Sequence, residues 1–448
     1  PDQELTGQDI MILRFDNEGD LLEGYAEFLR EYRPNIVTGY NILGFDIEYM
    51  IERAKETFVY DTFSKAGFLK YAGGKQRTIR WTSQAYGNQS FAFLDLEGIL
   101  HVDLLPLVKR DYKFSKYNLK TVSEFFIGQT KDPLTPKGIF KCYRVGMQGV
   151  QRGASAQAKR KGQKALAVCA KYCVQDSALV MKLFEVLQTW VGLTEMAKVC
   201  NVPMFSLYTK GQQIKVYSQV YKKCMFEDRV VQRDGYIPSP DERYTGAHVF
   251  QPKPGVYDRV VPFDFSSLYP TTIIAYNIDY STLVPDDSEI PDSACNVIEW
   301  ETHNGCEYDQ TVRKTKLKKS EIICGVKHRY RFIKKPQGVM PALLESLLGA
   351  RKNTKNEIKA LKKELQAWPK DRQDSHEGLE LKKAITVLDK RQLAFKVSAN
   401  SMYGAMGVRR GYLPFMPGAM CTTAWGRQSL LRAADSLQHD HHGILVYG

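Results

Sequence analysis

Three short stretches carry side chains whose types and spacing could do chemistry. In VVPFDFSSLYP (260–270) a single acid, Asp264, closes an apolar run. A carboxylate at the end of a buried strand needs a cation or hydrogen bonds, and a hard oxygen donor favours Mg2+. Ser266 and Ser267 then open a turn or helix whose backbone N–H groups suit phosphate, although the same pattern also describes an ordinary helix cap. In QLAFKVSANSMYGAMG (392–407), Lys396, Asn400 and Tyr403 stand at i, i+4 and i+7. A helix there puts a cation, an amide and an aromatic ring on one stripe, which suits a nucleotide. LLGARKNTK (347–355) adds Arg351 and Lys355 at i, i+4. Converging cations match a triphosphate, whose transfer develops charge that must be neutralised. Taken alone, Arg351 and Lys355 equally describe a solvated basic face.

The elements that must carry these residues follow from periodicity. Residues 1 to about 190 alternate strand-like and helix-like runs: Met11–Phe15 as a strand, Leu21–Tyr32 as a helix, Ile36–Tyr40 as a strand entering a turn. That alternation is the pattern of a mixed α/β domain. Residues 150–164 are small, polar and basic and are expected as an exposed, mobile loop, followed by a helix from about Ala165 to Val191. Asp234–Gly255 is linker-like, Val256–Phe265 is expected as a buried strand, and 286–310 as acidic and irregular. Two helices, about Pro341–Gln366 and Gly378–Met402, are broken apart by WPKDRQDSHE and should form an antiparallel hairpin. The tail Gly443–Gly448 is apolar and strand-like.

With 448 residues, 43% hydrophobic and 25% charged, the chain is long enough for about three domains and has the profile of a globular protein. Its 21 Phe and 25 Tyr exclude collagen-like and disordered readings, and no run approaches the ~18 apolar residues of a membrane span. The charge is +13 overall. Lys109–Lys171 holds 15 basic and 3 acidic residues, and Arg313–Lys363 holds 16 and 3, so two basic zones sit on an otherwise acidic body. Beside Tyr112, Phe114, Tyr117, Tyr330 and Phe332, these zones suggest a polyanion partner, with solvated surface loops as the alternative. Nine cysteines without a CxxC pair, Cys169 and Cys173 four apart, are expected to be reduced and buried.

DFSSLYP followed by KVSANSMYG resembles motifs A and B of family B DNA polymerases. Asn41-Ile-Leu-Gly-Phe45-Asp46 and Tyr172-Cys-Val-Gln-Asp176 resemble the second and third exonuclease motifs of that family. Tyr244-Thr-Gly-Ala247 resembles the motif that links the exonuclease and polymerase domains, and LLGARKNTK the first fingers helix. All six stand in family order along nearly the whole chain. The resemblance implies an α/β (mixed α+β) fold: an RNase H-like 3′–5′ exonuclease domain over 1–195, linker and first palm segment over 196–340, a fingers hairpin over 341–403 and a second palm segment over 404–448. It implies that Asp264, with the Phe265 carbonyl, binds two Mg2+ ions, and that Asp46 and Asp176 bind two more while Tyr172 orients the attacking water. Arg351, Lys355, Lys396, Asn400, Tyr403, Ser267 and Leu268 would line the nucleotide, with Tyr269 excluding a 2′-hydroxyl. Asn41, Phe45, Tyr244 and Gly246 would touch DNA.

The first exonuclease motif, an acid-x-Glu pair, belongs upstream of Asn41. Asp95-Leu-Glu97 lies after it and is read as a strand end or turn. GILVYG resembles the strand entering the second catalytic carboxylate motif, and the thumb would follow. The sequence therefore reads as an internal fragment that is inactive by itself. AYNIDYSTLVPDD and the 286–335 insert resemble polymerases of large nucleocytoplasmic DNA viruses; KGQQIKV (210–216) also resembles cellular delta-type polymerases. The implied partners are primer-template DNA and deoxynucleoside triphosphates, with a sliding-clamp processivity factor as a further candidate and no membrane. The implied location is intracellular: the host nucleus or a cytoplasmic viral factory if viral, the nucleus if cellular. The rival readings are a nuclease-only protein and a non-catalytic DNA-binding scaffold, neither of which needs a nucleotide pocket.

Overall fold

The computed structural model describes residues 11–69, 71–83, 86–129, 134–231, 244–308, 322–408 and 411–448. They form two compact units. One runs to Leu193 and includes Met204–Gly211; the other joins Thr194–Pro203 to Gln212–Gly448.

In the first unit, α1 (Glu18–Tyr32) is capped by Asn17, whose side chain accepts from the Asp20 N–H, and closes on Arg33 in the left-handed region. Leu22, Ala26 and Leu29, at i, i+4 and i+7, bury its inner stripe. Strand β1 (Ile36–Gly39) pairs in parallel with β4 (Leu100–Asp103), Gly39 opposite Asp103. Between them, β2 (Lys75–Ser83) and β3 (Gly87–Asp95) make an antiparallel hairpin. Leu104, Val108, Leu119, Val122, Val180 and Leu183 form a separate small core.

Helices α6 (Pro136–Val150) and α7 (Ala156–Val186) follow α2 (Ile47–Glu56), α3 (Tyr60–Ser64), α4 (Leu104–Asp111) and α5 (Leu119–Ile127), and they pack as a hairpin. The expected loop over 150–164 is thus mostly helix, begun by Ser155, whose hydroxyl accepts from the Ala158 N–H. Its small residues serve contact rather than flexibility. A Cβ on Gly149 would stand 2.9 Å from the Ala158 carbonyl oxygen, and one on Gly162 would stand 3.0 Å from Gly149 Cα. Only glycine lets the two backbones approach so closely.

In the second unit, strands β5 (Leu283–Val284), β7 (Ile323–Ile333) and β6 (Cys295–Asn304) lie in that order, antiparallel. The expectation of irregular structure over 286–310 fails for β6: the exposed Glu299 and Glu301 alternate with Ile298 and Trp300 along its pairing with β7, a period that composition alone hides. Around the sheet stand α10 (Gln213–Phe226), α11 (Leu268–Ala275), α12 (Val339–Ala367), α14 (His376–Met406) and α15 (Met416–His439), with the short α13 (Lys370–Gln373) between α12 and α14; α8 (Thr189–Cys200) begins in the first unit, to which α9 (Met204–Thr209) belongs. Val216, Ile273, Phe332, Met340, Met402 and Phe415 are in the second unit's shared core. The α12–α14 hairpin matches the periodicity, each helix a few residues longer than expected. Its entry is fixed by two buried side chains: Asn277 accepts from the Gly338 N–H and Asp279 from the Met340 N–H, which caps α12.

Three expected strands are absent. Met11–Phe15 is irregular and Gly443–Gly448 forms no assigned ladder, although the Phe250 and Lys253 N–H groups donate to the Gly448 and Val446 carbonyls. Val256–Phe265 pairs with no strand among the described residues, and Val256, Val261 and Phe263 face solvent. An apolar run becomes a strand only where a neighbour takes its N–H and C=O groups. The cysteines form no disulfide, but they are not all buried as expected: Cys173 and Cys324 are exposed, and Cys142, Cys169 and Cys306 half-buried.

Candidate active site

In the second unit, α11 opens at Ser267, a non-glycine residue at φ 58°. That turn carries Leu268 and Tyr269 out of the 256–265 segment. The Tyr269 ring lies 4.5 Å, centroid to centroid, from the ring of Tyr403 on α14, tilted by 45°. The Tyr403 hydroxyl lies 3.1 Å from that of Tyr244. Three of the tyrosines selected from the sequence therefore meet. Space is reserved for them: a Cβ on Gly426 of α15 would stand 2.9 Å from Tyr269 Cε1, and one on Gly407 would run into the Tyr244 hydroxyl.

Arg427, the next residue of α15, was not legible as a site residue. Its guanidinium donates to the carbonyls of Thr245 and Gly246 at 2.6 and 2.8 Å. Burial holds it below the usual arginine range, while Tyr269 and Tyr403 nearby act the other way. Burial likewise pushes the hydroxyls of Tyr269 and Tyr403 up, so both stay neutral donors. The only sequence signal was a glycine–arginine pair in an otherwise ordinary helix.

Along α14, Lys396 and Asn400 are exposed and Tyr403 is half-buried, one stripe leading to the tyrosine cluster. Arg351 of α12 donates to Gln392 at 3.4 Å, one turn before Lys396 on the facing helix. Lys355 continues the α12 stripe and is exposed. Asp264 corrects the argument built on burial: it is exposed, so its carboxylate needs no partner to offset desolvation. Phe265 beside it is 39% exposed. An exposed carboxylate and a free main-chain carbonyl are hard oxygen donors of the kind Mg2+ takes together with water.

In the first unit, the chain leaves β1 through Asn41, at φ 70°, into a π-helical turn, Ile42–Asp46, and on into α2. A buried carboxylate missed in the sequence, Asp103, holds this turn. It accepts from the N–H groups of Asn41 (2.8 Å), Leu43 (3.0 Å) and Leu105 (3.0 Å), and so also caps α4. Burial pushes its carboxyl up to about 6, opposed by the three N–H bonds and aided by the charge of Asp46. Asp46 itself is exposed at the end of the turn. Phe45 and Tyr49 stack in the open, centroids 5.9 Å apart and planes 8° from parallel. This flat apolar step suits an unpaired base. Tyr172 and Asp176 are half-buried, one turn apart on α7, and α7 packs against β1. Asp95 is the last residue of β3, pairs with Arg77, and leads into a turn.

Residues 202–445 match the model of DNA polymerase family B, and residues 2–122 match that of the DNA polymerase family B exonuclease domain. The chain belongs to DNA polymerase family B. It is similar to DNA polymerase 120R of Invertebrate iridescent virus 3, with 46% identity over all of this chain and 41% of that protein. It is also similar to the putative DNA polymerase 060R of Frog virus 3, with 40% identity over 98% of this chain and 46% of the relative. The DNA polymerase delta catalytic subunit of Schizosaccharomyces pombe is 31% identical, over 98% and 36%. The chain thus spans less than half the length of these relatives. The family B DNA polymerase of Pyrobaculum calidifontis shares the fold, at a TM-score of 0.64 and 22% identity over 98% of this chain and 47% of that one. Domains of this family generally use divalent metals. Among the described residues no helix is long and apolar enough to cross a membrane.

Proposed function

We propose that this chain is the exonuclease and nucleotide-binding part of a DNA-directed DNA polymerase with 3′–5′ proofreading, replicating viral DNA inside the host cell. The observation that carries the reading is the Tyr244–Tyr403–Tyr269 cluster at the root of the Lys396/Asn400 stripe. A scaffold or a nuclease alone has no use for a nucleotide pocket. The substrates are primer-template DNA and deoxynucleoside triphosphates, and a sliding clamp is a candidate partner. The exonuclease domain is assigned to 1–195, the palm to 196–340 and 404–448, and the fingers to 341–403.

In this reading Arg351, Lys355, Lys396 and Asn400 bind the triphosphate, and Ser267 and Leu268 present backbone to it. Tyr269, braced by Tyr403, closes the space a 2′-hydroxyl needs. Asp264 and the Phe265 carbonyl are the protein's ligands for Mg2+ at the polymerase site, and Asp46 and Asp176 those at the exonuclease site, two ions each. Bound Mg2+ supplies neutralisation of the charge that develops on the transferring phosphate. Tyr172 orients a water for hydrolysis, Asn41 and Phe45 hold the unpaired primer end, and Tyr244 and Gly246 meet the DNA backbone.

The test uses the polymerase that contains this chain. Asp264→Ala should abolish primer extension and spare degradation of single strands; Asp176→Ala should do the reverse. Loss of both activities from one substitution in a folded protein, or degradation without any extension in the wild type, would overturn the reading.

A further inference from the structure

At the connected end of the β6–β7 hairpin in the second unit, His303, Cys306 and Cys324 bring one imidazole nitrogen and two sulfurs within 4.8 Å of one another. The hairpin itself creates the meeting. Asn304 pairs with Ile323 and Thr302 with Val326, so β7 carries one residue more than β6 across this step. The surplus forms a bulge next to Gly325, whose φ of 70° is open to glycine. Cys324 is thereby turned to the edge where His303 stands, 21 residues away in sequence. Cys306 reaches the same point by following His303 with two residues between.

We propose that this cluster is a transition-metal site, with Zn2+ as the natural occupant. The separations are those a tetrahedral ion imposes. Zn–S of about 2.3 Å and Zn–N of about 2.0–2.1 Å, at tetrahedral angles, put sulfur and nitrogen ligands roughly 3.5–3.6 Å apart. Cys306 Sγ lies 3.5 Å and Cys324 Sγ 3.7 Å from the same nitrogen, His303 Nδ1. Both thiols aim at one ring nitrogen, which serves as their common neighbour. The opposite nitrogen, Nε2, lies 3.7 Å from the Glu301 carboxylate. A carboxylate behind a metal-bound imidazole fixes its tautomer and raises its basicity. Two soft sulfurs and an imidazole select Zn2+ over Mg2+ or Ca2+. Binding would release the two thiol protons, because the thiolate is the ligand.

The site bears on the neighbouring chemistry through the hairpin. Trp300 and His328 of the two strands, stacked at 4.9 Å, wall a cavity of about 140 Å3 that is also lined by Tyr244 and Arg427. An ion at the connected end would pin the strands that form this wall.

The experiment is metal analysis of the 448-residue chain, purified from zinc-supplemented cells under reducing conditions and desalted. One equivalent of Zn2+ per chain is expected. Titration of the stripped protein with Co2+ should give thiolate-to-metal charge-transfer absorption that Zn2+ abolishes. Cys306→Ser and Cys324→Ser should each lose the absorption, Glu301→Gln should weaken binding by about 10–100-fold, and Cys173→Ser, at an exposed thiol elsewhere, should leave both unchanged. Zinc content near zero together with no thiolate absorption in the wild type would overturn the site, as would a Cys306–Cys324 disulfide that persists in the reduced, folded protein. Because wild type alone decides, a variant that fails to fold leaves the test intact.

Discussion

The hydroxyls of Tyr244 and Tyr403 lie 3.1 Å apart although 159 residues separate them in the chain. The contact ties the segment before the 256–265 run to the C-terminal part of α14. Tyr269 then leans its ring, tilted by 45°, against that of Tyr403. A side chain braced on one flank yields little on the other, which is how a ring can discriminate by shape.

Tyr269→Ala or Tyr269→Val in the parent polymerase should raise ribonucleotide over deoxyribonucleotide efficiency at least ~10-fold, the equivalent of ~1.4 kcal/mol. The ratio of the two efficiencies is the measurement. An unchanged ratio with synthesis reduced overall would make Tyr269 a core residue supporting α11.

Arg427 donates to two main-chain carbonyls from one guanidinium nitrogen, Nη1, at the end of a side chain longer than that of lysine. Arg427→Ala should cost about 1.5–3 kcal/mol, the range for hydrogen bonds from a charged group, and Arg427→Lys should restore only part of it. Thermal or urea unfolding of the chain checks this. Equal stability of all three proteins would mean the carbonyls find water instead.

Asp103 titrates near 6 in the folded chain and near 3.9 when unfolded. Its folded value is raised, so the folded state holds the proton more tightly. Stability from this group is present below about pH 4 and is lost as pH rises through 6. In EDTA, the difference in unfolding free energy between wild type and Asp103→Asn should therefore move against the wild type by roughly 2–3 kcal/mol from pH 4 to pH 7. A flat difference would place the Asp103 carboxyl at an ordinary value in the folded chain.

Lys109–Lys171 and the described part of the second basic zone should bind DNA through phosphate, without sequence preference. Affinity should fall at least ~10-fold between 50 and 200 mM salt, which release of counterions from about two or three phosphates suffices to produce. Fluorescence anisotropy with unrelated duplexes reads both properties. Salt-independent binding would remove these zones from the DNA contact surface.

What the sequence disclosed and what it withheld divide along a physical line. Lys396, Asn400 and Tyr403 were legible because helical spacing alone puts them on one stripe. The turn at Asn41–Asp46 and the pair Tyr172 and Asp176 were legible as motifs. Asp103 and Arg427 were not, because each works on main-chain groups of a distant segment, and nothing local distinguishes such a residue from a surface charge. Val256–Phe265 misled because apolarity states what a strand would bury and says nothing of whether a partner is present. The metal-ligand cluster escaped the cysteine count because one of its donors arrives across a hairpin, beyond any short spacing rule. Residues 313–321 of the second basic zone and 234–243 of the expected linker lie outside the described residues.

The contact between Gly149 and Gly162 has an entropic consequence. Lys159, Arg160, Lys161 and Lys164 are exposed on the helical turns that this contact clamps to α6. Read as a loop, the same residues would each surrender about 1–2 kcal/mol of backbone freedom when a polyanion fixed them. On a helix already formed, that ordering was completed at folding. The cations would meet phosphate as a rod of set spacing, about 1.5 Å of rise per residue, and the ions they displaced would contribute to binding undiminished.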